Sequence, residues 1–443
     1  MGRVWFVGLS SVLWLACGAD AGDPVADTAG EQPTADVVES GDADGTASGD
    51  AGDDGADGDE LPPLDLVPAP HTWAPNPETA PVFDTQAVKT LELTFTDAER
   101  TALFDCWTKP SSDVKSGKTK CWSHCTATLD GKTSADAACR PKGDPEKWED
   151  QNKPQLIVRF DEWNKAGRFF GLRRFNLENN PDYVAPVRDR VGMWFMHEVG
   201  LVAPRVALMR VTINGDEYGP YQVIEPIDKE LLGDHYQSDA GDLYDDTLEL
   251  VTNEDTSTSA RLDEFLDLPD EEVVGQDHGE ALAGMDALGD LGELIRHVAA
   301  EAALGTVDNF IDGAGNTYFY DVPGVGLTTI PWDLDDIFSH YTSATEALDT
   351  CVGPAKFADE PNKVCVVIHD TPETEAAFRA EVRRIRDEVF PGLIGTTEAA
   401  CAQARSFVAA DPYAAGDAGE FDADCAAISQ RIADRAAFLA TAL

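Results

Sequence analysis

The stretch VALMRVTINGDEYGPYQVI, residues 206–224, sets the architecture. Val206–Ile213 and Tyr218–Ile224 are apolar runs of strand length, and Asn214-Gly215 stands between them. Asn-Gly supplies the positive φ angles of a type I′ turn, so the segment predicts a β-hairpin. Glu225-Pro226 ends the second strand. Upstream, Arg188–Val199 reads as a helix with Val191, Trp194, Phe195 and Val199 on one face. Arg173–Leu177, Gln155–Phe160 and the alternating Thr90–Phe95 read as strands, and Asp97–Arg100 starts a short helix. Residues 106–150, rich in Cys and Lys, read as a loop. Downstream, 245–284 is acidic and irregular, and Ala287–Leu304 is a helix burying Leu288, Leu291, Leu294, Ile295 and Val298. Thr317–Tyr320 and Leu327–Ile330 form a second hairpin, and 372–390, 396–409 and 422–442 read as helices. A mostly β first half and a mostly helical second half make the chain α+β.

The 443 residues carry 33 Lys+Arg against 82 Asp+Glu, a net charge of −49. Such a surface repels phosphate backbones, and no basic stripe relieves it, which excludes a nucleic-acid partner. An anionic membrane surface is disfavoured for the same reason unless another anchor is present. Residues 18–65 hold fifteen acids and no base, and 66–443 still hold 67 acids against 32 bases.

Met1–Ala16 has one base, Arg3, and then a largely apolar run of thirteen residues, Val4–Ala16, too short to span a bilayer but right for a signal-peptide core. The run ends Leu13-Trp14-Leu15-Ala16-Cys17-Gly18, which resembles a bacterial lipobox with Trp14 in place of the usual Leu. The expectation is an exported chain held to a membrane by a lipid on Cys17, in the bacterial cell envelope. Residues 1–17 are then the leader, and 18–72, poor in large apolar residues, a disordered acidic tether. Its Asp-Gly runs lack EF-hand spacing. Removing Cys17 leaves eight cysteines, and an oxidising compartment makes disulfides the default. Cys351/Cys365 and Cys401/Cys425 read as local pairs, whereas the pairing within Cys106, Cys121, Cys125 and Cys139 stays open. The spacing of those four lacks the short knuckles of a zinc site.

Two segments can carry chemistry. Val307–Asn316 (VDNFIDGAGN) follows a helix and precedes a strand, and Ile330–Asp336 (IPWDLDD) delivers three carboxylates into a turn. Joined by the hairpin, they bring Asp308, Asn316 and Asp333 near one another. One Asp for the attacking hydroxyl, with an Asn and an Asp on Mg²⁺, is what phosphoryl transfer needs. An Asx-rich loop capping a helix, with a structural Ca²⁺ at Asp333 and Asp335, accounts for the spacing equally well. Other chemistries lack their motifs: Leu201 replaces the second His after His197-Glu198, and no G-x-S-x-G, Walker A or G-x-G-x-x-G loop occurs.

Several stretches taken together resemble the CotH kinase family. They are Lys153-Pro154 with Val158–Asp161, Gly171–Asn180, Asp182, Arg188, and Glu198–Arg205. Val211–Tyr221, Glu225, Asp228 and Gly241–Tyr244 follow, then Asp308-Asn309, Asn316–Tyr320 and Pro331–Asp335. The resemblance implies a two-lobed atypical protein-kinase-like fold, with a β-rich lobe at 73–270 carrying a Cys-rich insertion at 106–139. A metal-binding segment and helical lobe follow at 271–443. It also implies ATP and Mg²⁺ or Mn²⁺ as cofactors, and a protein substrate phosphorylated on Ser or Thr. Carried over, Asp308 is the catalytic Asp and Asp333 the metal-binding Asp, with Asn316, Asn309 and Asp335 as its companions. Lys153, Arg174 and Glu225 are the nucleotide-side candidates. Arg174-Phe175 stands where the family has Lys-Leu. A catalytically silent surface-binding or scaffold lipoprotein is the alternative. The acidic surface leads to the expectation of a basic substrate segment.

Overall fold

The hairpin at 206–224 forms as its turn chemistry dictates, and the five strands before it close a barrel around its inner face. The computed structural model describes residues 73–443 apart from 116–118, 144–152, 181, 258, 270–277, 314 and 352–360. The leader at 1–17, with Cys17, and the tether at 18–72 lie outside the described residues.

The barrel strands are β1 (Lys89–Thr94), β2 (Ser123–Leu129), β3 (Lys132–Pro141), β4 (Leu156–Arg159), β5 (Arg174–Glu178), β6 (Val206–Ile213) and β7 (Asp216–Ile224). Their order is β1-β2-β3-β4-β5-β7-β6, and the parallel pairing of β1 with β6, Leu91 opposite Val211, closes it. Alternation then sorts each strand. Leu91, Leu93, Ala127, Val158, Phe175, Leu177, Val211 and Val223 fill the interior. On β5 and β7 the other face carries Asn176, Glu178, Gln222 and Ile224, and these are buried as well. Strands buried on both faces lose the polar alternation of a half-exposed sheet.

The described part of the predicted loop at 106–150 is not a loop. Helix α1 (Asp97–Thr108) runs into it, a helical turn α2 (Ser112–Lys115) follows, and β2 and β3 form a hairpin around Asp130-Gly131. Asp130 and Gly131 have φ of 51° and 75°, the same turn logic as Asn214-Gly215. The pairs are Cys106–Cys121, Cys125–Cys139, Cys351–Cys365 and Cys401–Cys425, so both local pairs expected from the sequence form.

A second hydrophobic cluster lies outside the barrel. Helix α3 (Arg188–Val199) belongs to it with residues 201–203, although the sequence reading placed this stretch with the β-rich part. Beyond β7 come α4 (Lys229–Tyr236), β8 (Leu243–Tyr244), α5 (Arg261–Asp267), α6 (Gly279–Leu288) and α7 (Leu291–Leu304). The segment predicted irregular at 245–284 therefore contains α5 and the start of α6. The single helix predicted from Ala287 is broken at Gly289, where Asp290 caps α7 by accepting from the Glu293 N–H at 2.9 Å. Strands β9 (Thr317–Val322) and β10 (Gly326–Pro331) make a small sheet with β8. Helices α8 (Lys363–Asp370), α9 (Pro372–Arg384), α10 (Phe390–Val408) and α11 (Ala418–Ala442) follow, with a π-helical turn at Ile385–Val389 joining α9 to α10. Among the described residues no helix is long and apolar enough to cross a membrane.

One buried acid in this cluster sets a pH dependence. Glu293 is 3 % exposed and accepts from the Thr328 hydroxyl. Burial, with the Asp290 charge adding to it, pushes its carboxyl up to about 8. The folded chain therefore keeps a proton that the unfolded chain sheds above the ordinary Glu range. Stability contributed by this group is complete below pH 4.5 and falls as pH rises toward 8, by roughly 1.4 kcal/mol per unit at most. Glu293→Gln removes that loss and keeps an acceptor for Thr328. The variant is expected to melt several degrees above the parent at pH 8.5 and within a degree or two of it at pH 4.5. A parallel offset at both pH values in thermal denaturation counts against the assignment.

Candidate active site

The loop between α7 and β9 is fixed from below by buried carboxylates. Asp312 accepts from the backbone N–H groups of Asp308 (2.8 Å) and Asn309 (3.1 Å). Glu301, fully buried on α7, accepts from the Ile311 N–H at 2.9 Å and lies 3.0 Å from His297 Nε2. His297 Nδ1 meets the Thr329 hydroxyl of β10 at 2.7 Å, which ties the loop's base to the hairpin. The last register pair of that hairpin is Thr317 with Pro331, so Asn316 and Trp332 continue side by side, and the Trp332 N–H donates to the Asn316 carbonyl at 2.9 Å. Asn316 Nδ2 then donates to the Asp308 carbonyl at 2.6 Å. Asp308, Asn316 and the chain entering Asp333 are thus joined at one end of β9–β10.

All three residues have left-handed backbone: φ is 64° at Asp308, 50° at Asn316 and 49° at Asp333. Asp and Asn tolerate this region better than other side-chain-bearing residues, and such positions concentrate where surrounding structure over-determines the backbone. Asn309 is 1 % exposed and its Nδ2 has no hydrogen-bond partner, while its N–H is used by Asp312.

Three further groups reach this end of the hairpin, and sequence reasoning missed them. Lys142, just past β3, forms a buried ion pair with Glu178 at the end of β5, and its ammonium lies 5.7 Å from the centre of the Trp332 ring. Asp189, in the first turn of α3, accepts from Asn180 Nδ2 (3.0 Å) and Gln222 Nε2 (2.8 Å) through one oxygen, and its other oxygen is buried with no partner. Burial, followed by the Asp333 charge, pushes the Asp189 carboxyl up to about 7. Asp246 is pushed up to about 7 by burial, then by Asp245 and Asp333, and it too has a buried oxygen without a partner. Asp335 is raised well above the usual range by burial, then by Asp333, Asp189 and Asp336. Asp336 in turn accepts from the Tyr183 hydroxyl.

Crowded carboxylates with orphaned oxygens around Asp333 fit a divalent cation, which neutralises the repulsion and uses the free lone pairs. Among the described residues, no three of these carboxylates bring oxygens within 4.8 Å of one another. Mg²⁺ takes one or two carboxylates and completes its octahedron with phosphate oxygens and water.

The nucleotide-side candidates disperse. Arg174 faces this cluster: its Nε lies 3.8 Å from Asp228, and its charge acts on buried Tyr318 together with those of Asp246 and Asp333. Lys153 does not join it in any described contact. It is buried against the Asp411 carboxylate (2.7 Å) and the Pro220 carbonyl (2.9 Å), on the wall of a cavity of about 340 Å³ shared with the α10–α11 connection. Glu225 is paired with Arg205, which donates to it from Nε at 2.8 Å and from its backbone at 3.0 Å and reaches on to Thr79 at 2.7 Å.

Residues 142–439 match the family described as CotH kinase protein. The chain belongs to the CotH kinase family. The match begins at Lys142 and takes in Glu178, Asp189, Asp308, Asn316 and Asp333. It leaves out β1, β2 and β3, the strands through which this CotH-family chain closes its barrel. None of the curated proteins searched matches the chain.

Proposed function

We propose that this protein is an exported, membrane-tethered atypical protein kinase that moves the γ-phosphate of ATP to Ser or Thr of a protein, with Mg²⁺ or Mn²⁺. Family membership supports a kinase-type requirement for nucleotide and metal. The observation that carries the reading is the meeting of Asp308, Asn316 and Asp333 beside the Lys142–Glu178 pair and Asp189, one oxygen of which has no partner. A divalent cation bound there supplies charge neutralisation for the transferred phosphoryl group.

The chain's own residues divide the remaining work. Asp333, with Asn316 and Asp189 beside it, holds the cation, and Asn309 and Asp335 stand next in line. Lys142, aimed by Glu178, takes phosphate oxygens as a point charge, and Arg174 lines the same side. Asp308 accepts a hydrogen bond from the attacking hydroxyl, and its proton, as the bond to the γ-phosphorus forms and the bond from that phosphorus to the bridging oxygen breaks, with ADP leaving. The barrel cluster and the helical cluster stand for the two lobes of a kinase-like layout, with this site between them. The four disulfides suit an oxidising compartment, and Cys17 is the proposed lipid site. Cys17→Ser is expected to release the protein from membranes into the soluble fraction.

The test is γ-phosphate incorporation from labelled ATP into a mixture of basic and acidic Ser/Thr peptides, with Mg²⁺, Mn²⁺ or chelator. Metal-dependent incorporation supports the proposal. No incorporation, together with no metal-dependent thermal shift by ATP, overturns it in favour of a silent binding protein.

A further inference from the structure

Helix α8 carries Cys365 and His369 four residues apart, on one face. The helix is buried along this face, with Cys365 1 % exposed, and its partner Cys351 is 6 % exposed. A ring nitrogen of His369 and the two sulfurs all lie within 4.8 Å of one another, and no other trio of His, Cys, Asp or Glu among the described residues does so. His369 Nδ1 is held at 2.7 Å by Glu375, which also pairs with Arg379. That leaves Nε2, which is buried and has no hydrogen-bond partner. A histidine oriented by a carboxylate through one nitrogen, with its other nitrogen bare and two sulfurs within reach of the ring, has the outer-shell arrangement of a zinc ligand.

We propose that Cys351, Cys365 and His369 form a redox-gated zinc site. In the oxidised chain the two sulfurs are joined. A dithiol reductant opens the bond by exchange: it leaves as its own cyclic disulfide, and the protein gains two thiols. Zn²⁺ then binds both sulfurs as thiolates and His369 Nε2, two protons pass to solvent, and a water fills the fourth position. Tetrahedral ligands at about 2.0–2.3 Å from zinc lie roughly 3.5 Å apart, so the trio needs only to let its two sulfurs separate. Either state ties Cys351 to α8. Asn362 relays the tie to the candidate active site: its N–H donates to the Cys351 carbonyl at 2.7 Å, its Oδ1 accepts from the Cys365 N–H at 3.1 Å, and its Nδ2 donates to the Phe310 carbonyl. The proposal does not depend on kinase activity.

The experiment uses the full exported chain, reduced without oxygen, freed of reductant and titrated with Zn²⁺ against a chromogenic chelator and with Co²⁺ in the spectrometer. Expected is one tight zinc per chain, absent from the oxidised protein, with a thiolate-to-cobalt charge-transfer band. Zinc is also expected to restore the melting temperature lost on reduction. His369→Ala is expected to weaken binding by on the order of 100-fold and Glu375→Gln by about 10-fold. Cys351→Ser/Cys365→Ser abolishes the site, and Cys401→Ser/Cys425→Ser leaves it intact. Equal zinc uptake by reduced parent and reduced His369→Ala overturns the proposal. So does equal uptake by the Cys351→Ser/Cys365→Ser chain, which keeps the test open if the His variant fails to fold.

Discussion

Asp308→Asn is expected to lower phosphate transfer by about 10²- to 10⁴-fold, the range of a positioned proton acceptor, while ATP and metal still raise the melting temperature. Asparagine is the right replacement because it tolerates the left-handed backbone at φ 64°, which alanine does not. It also leaves the N–H that Asp312 holds and the carbonyl that accepts from Asn316. Asp333→Asn should behave differently. It is expected to abolish transfer and the metal-dependent thermal shift together, because the cation loses its main anionic ligand. In the absence of metal it should not destabilise the chain. The Asp333 charge helps to raise Asp189, Asp246 and Asp335, so removing it relieves repulsion. A melting temperature at or above that of the parent, with transfer lost, separates a functional acid from a structural one. Transfer surviving Asp308→Asn would remove Asp308 from its proposed role.

What was legible in the chain was what short-range chemistry decides. Asn214-Gly215 fixed one hairpin, the 317–331 segment another, and the loop they frame follows from its position between α7 and β9. Cys351 and Cys365 are 14 residues apart and Cys401 and Cys425 are 24, close enough to read as pairs. The β2–β3 hairpin was not legible because its composition misleads. Lys132, Thr133, Asp136 and their neighbours sit on the exposed part of β3, and only Ala137–Cys139 and Pro141 read as buried strand. Lys142 was missed for a deeper reason. Its meeting with Glu178 depends on two registers, Pro141 opposite Leu156 and Leu156 opposite Leu177, and no local pattern encodes them. Lys153 precedes a recognisable Pro-strand motif and drew the reading toward itself, yet the fold turns it to Asp411. Asp189 looked like an ordinary acid in the first turn of a helix, where the macrodipole favours one anyway. Only the packing of α3 against β7 and the turn after β10 gives it a second task.

The choice between the two lysines gives the other large effect. Lys142→Met takes from buried Glu178 its ammonium partner, and the Glu178 charge then acts unopposed by that ammonium on buried Asp189. Breaking such a pair from one side costs about 3–5 kcal/mol, so the single variant is expected to lose most of its stability along with its activity. Lys142→Met/Glu178→Gln removes the stranded charge as well. The double variant should recover most of the melting temperature and still transfer phosphate at least about 100-fold more slowly than the parent, because no ammonium remains to meet the phosphates. Lys153→Met/Asp411→Asn is the matched control: it removes an equally buried pair, 2.7 Å apart, whose ammonium is turned to Asp411 and the Pro220 carbonyl. If Lys142 carries the nucleotide-side charge, this control keeps transfer within a few-fold of the parent once both are compared as folded protein. If the two double variants exchange behaviour, with Lys142→Met/Glu178→Gln active and the control dead, the phosphates are met from the Lys153 cavity. The site must then be drawn along β7 and the α10–α11 connection instead of across β3 and β5.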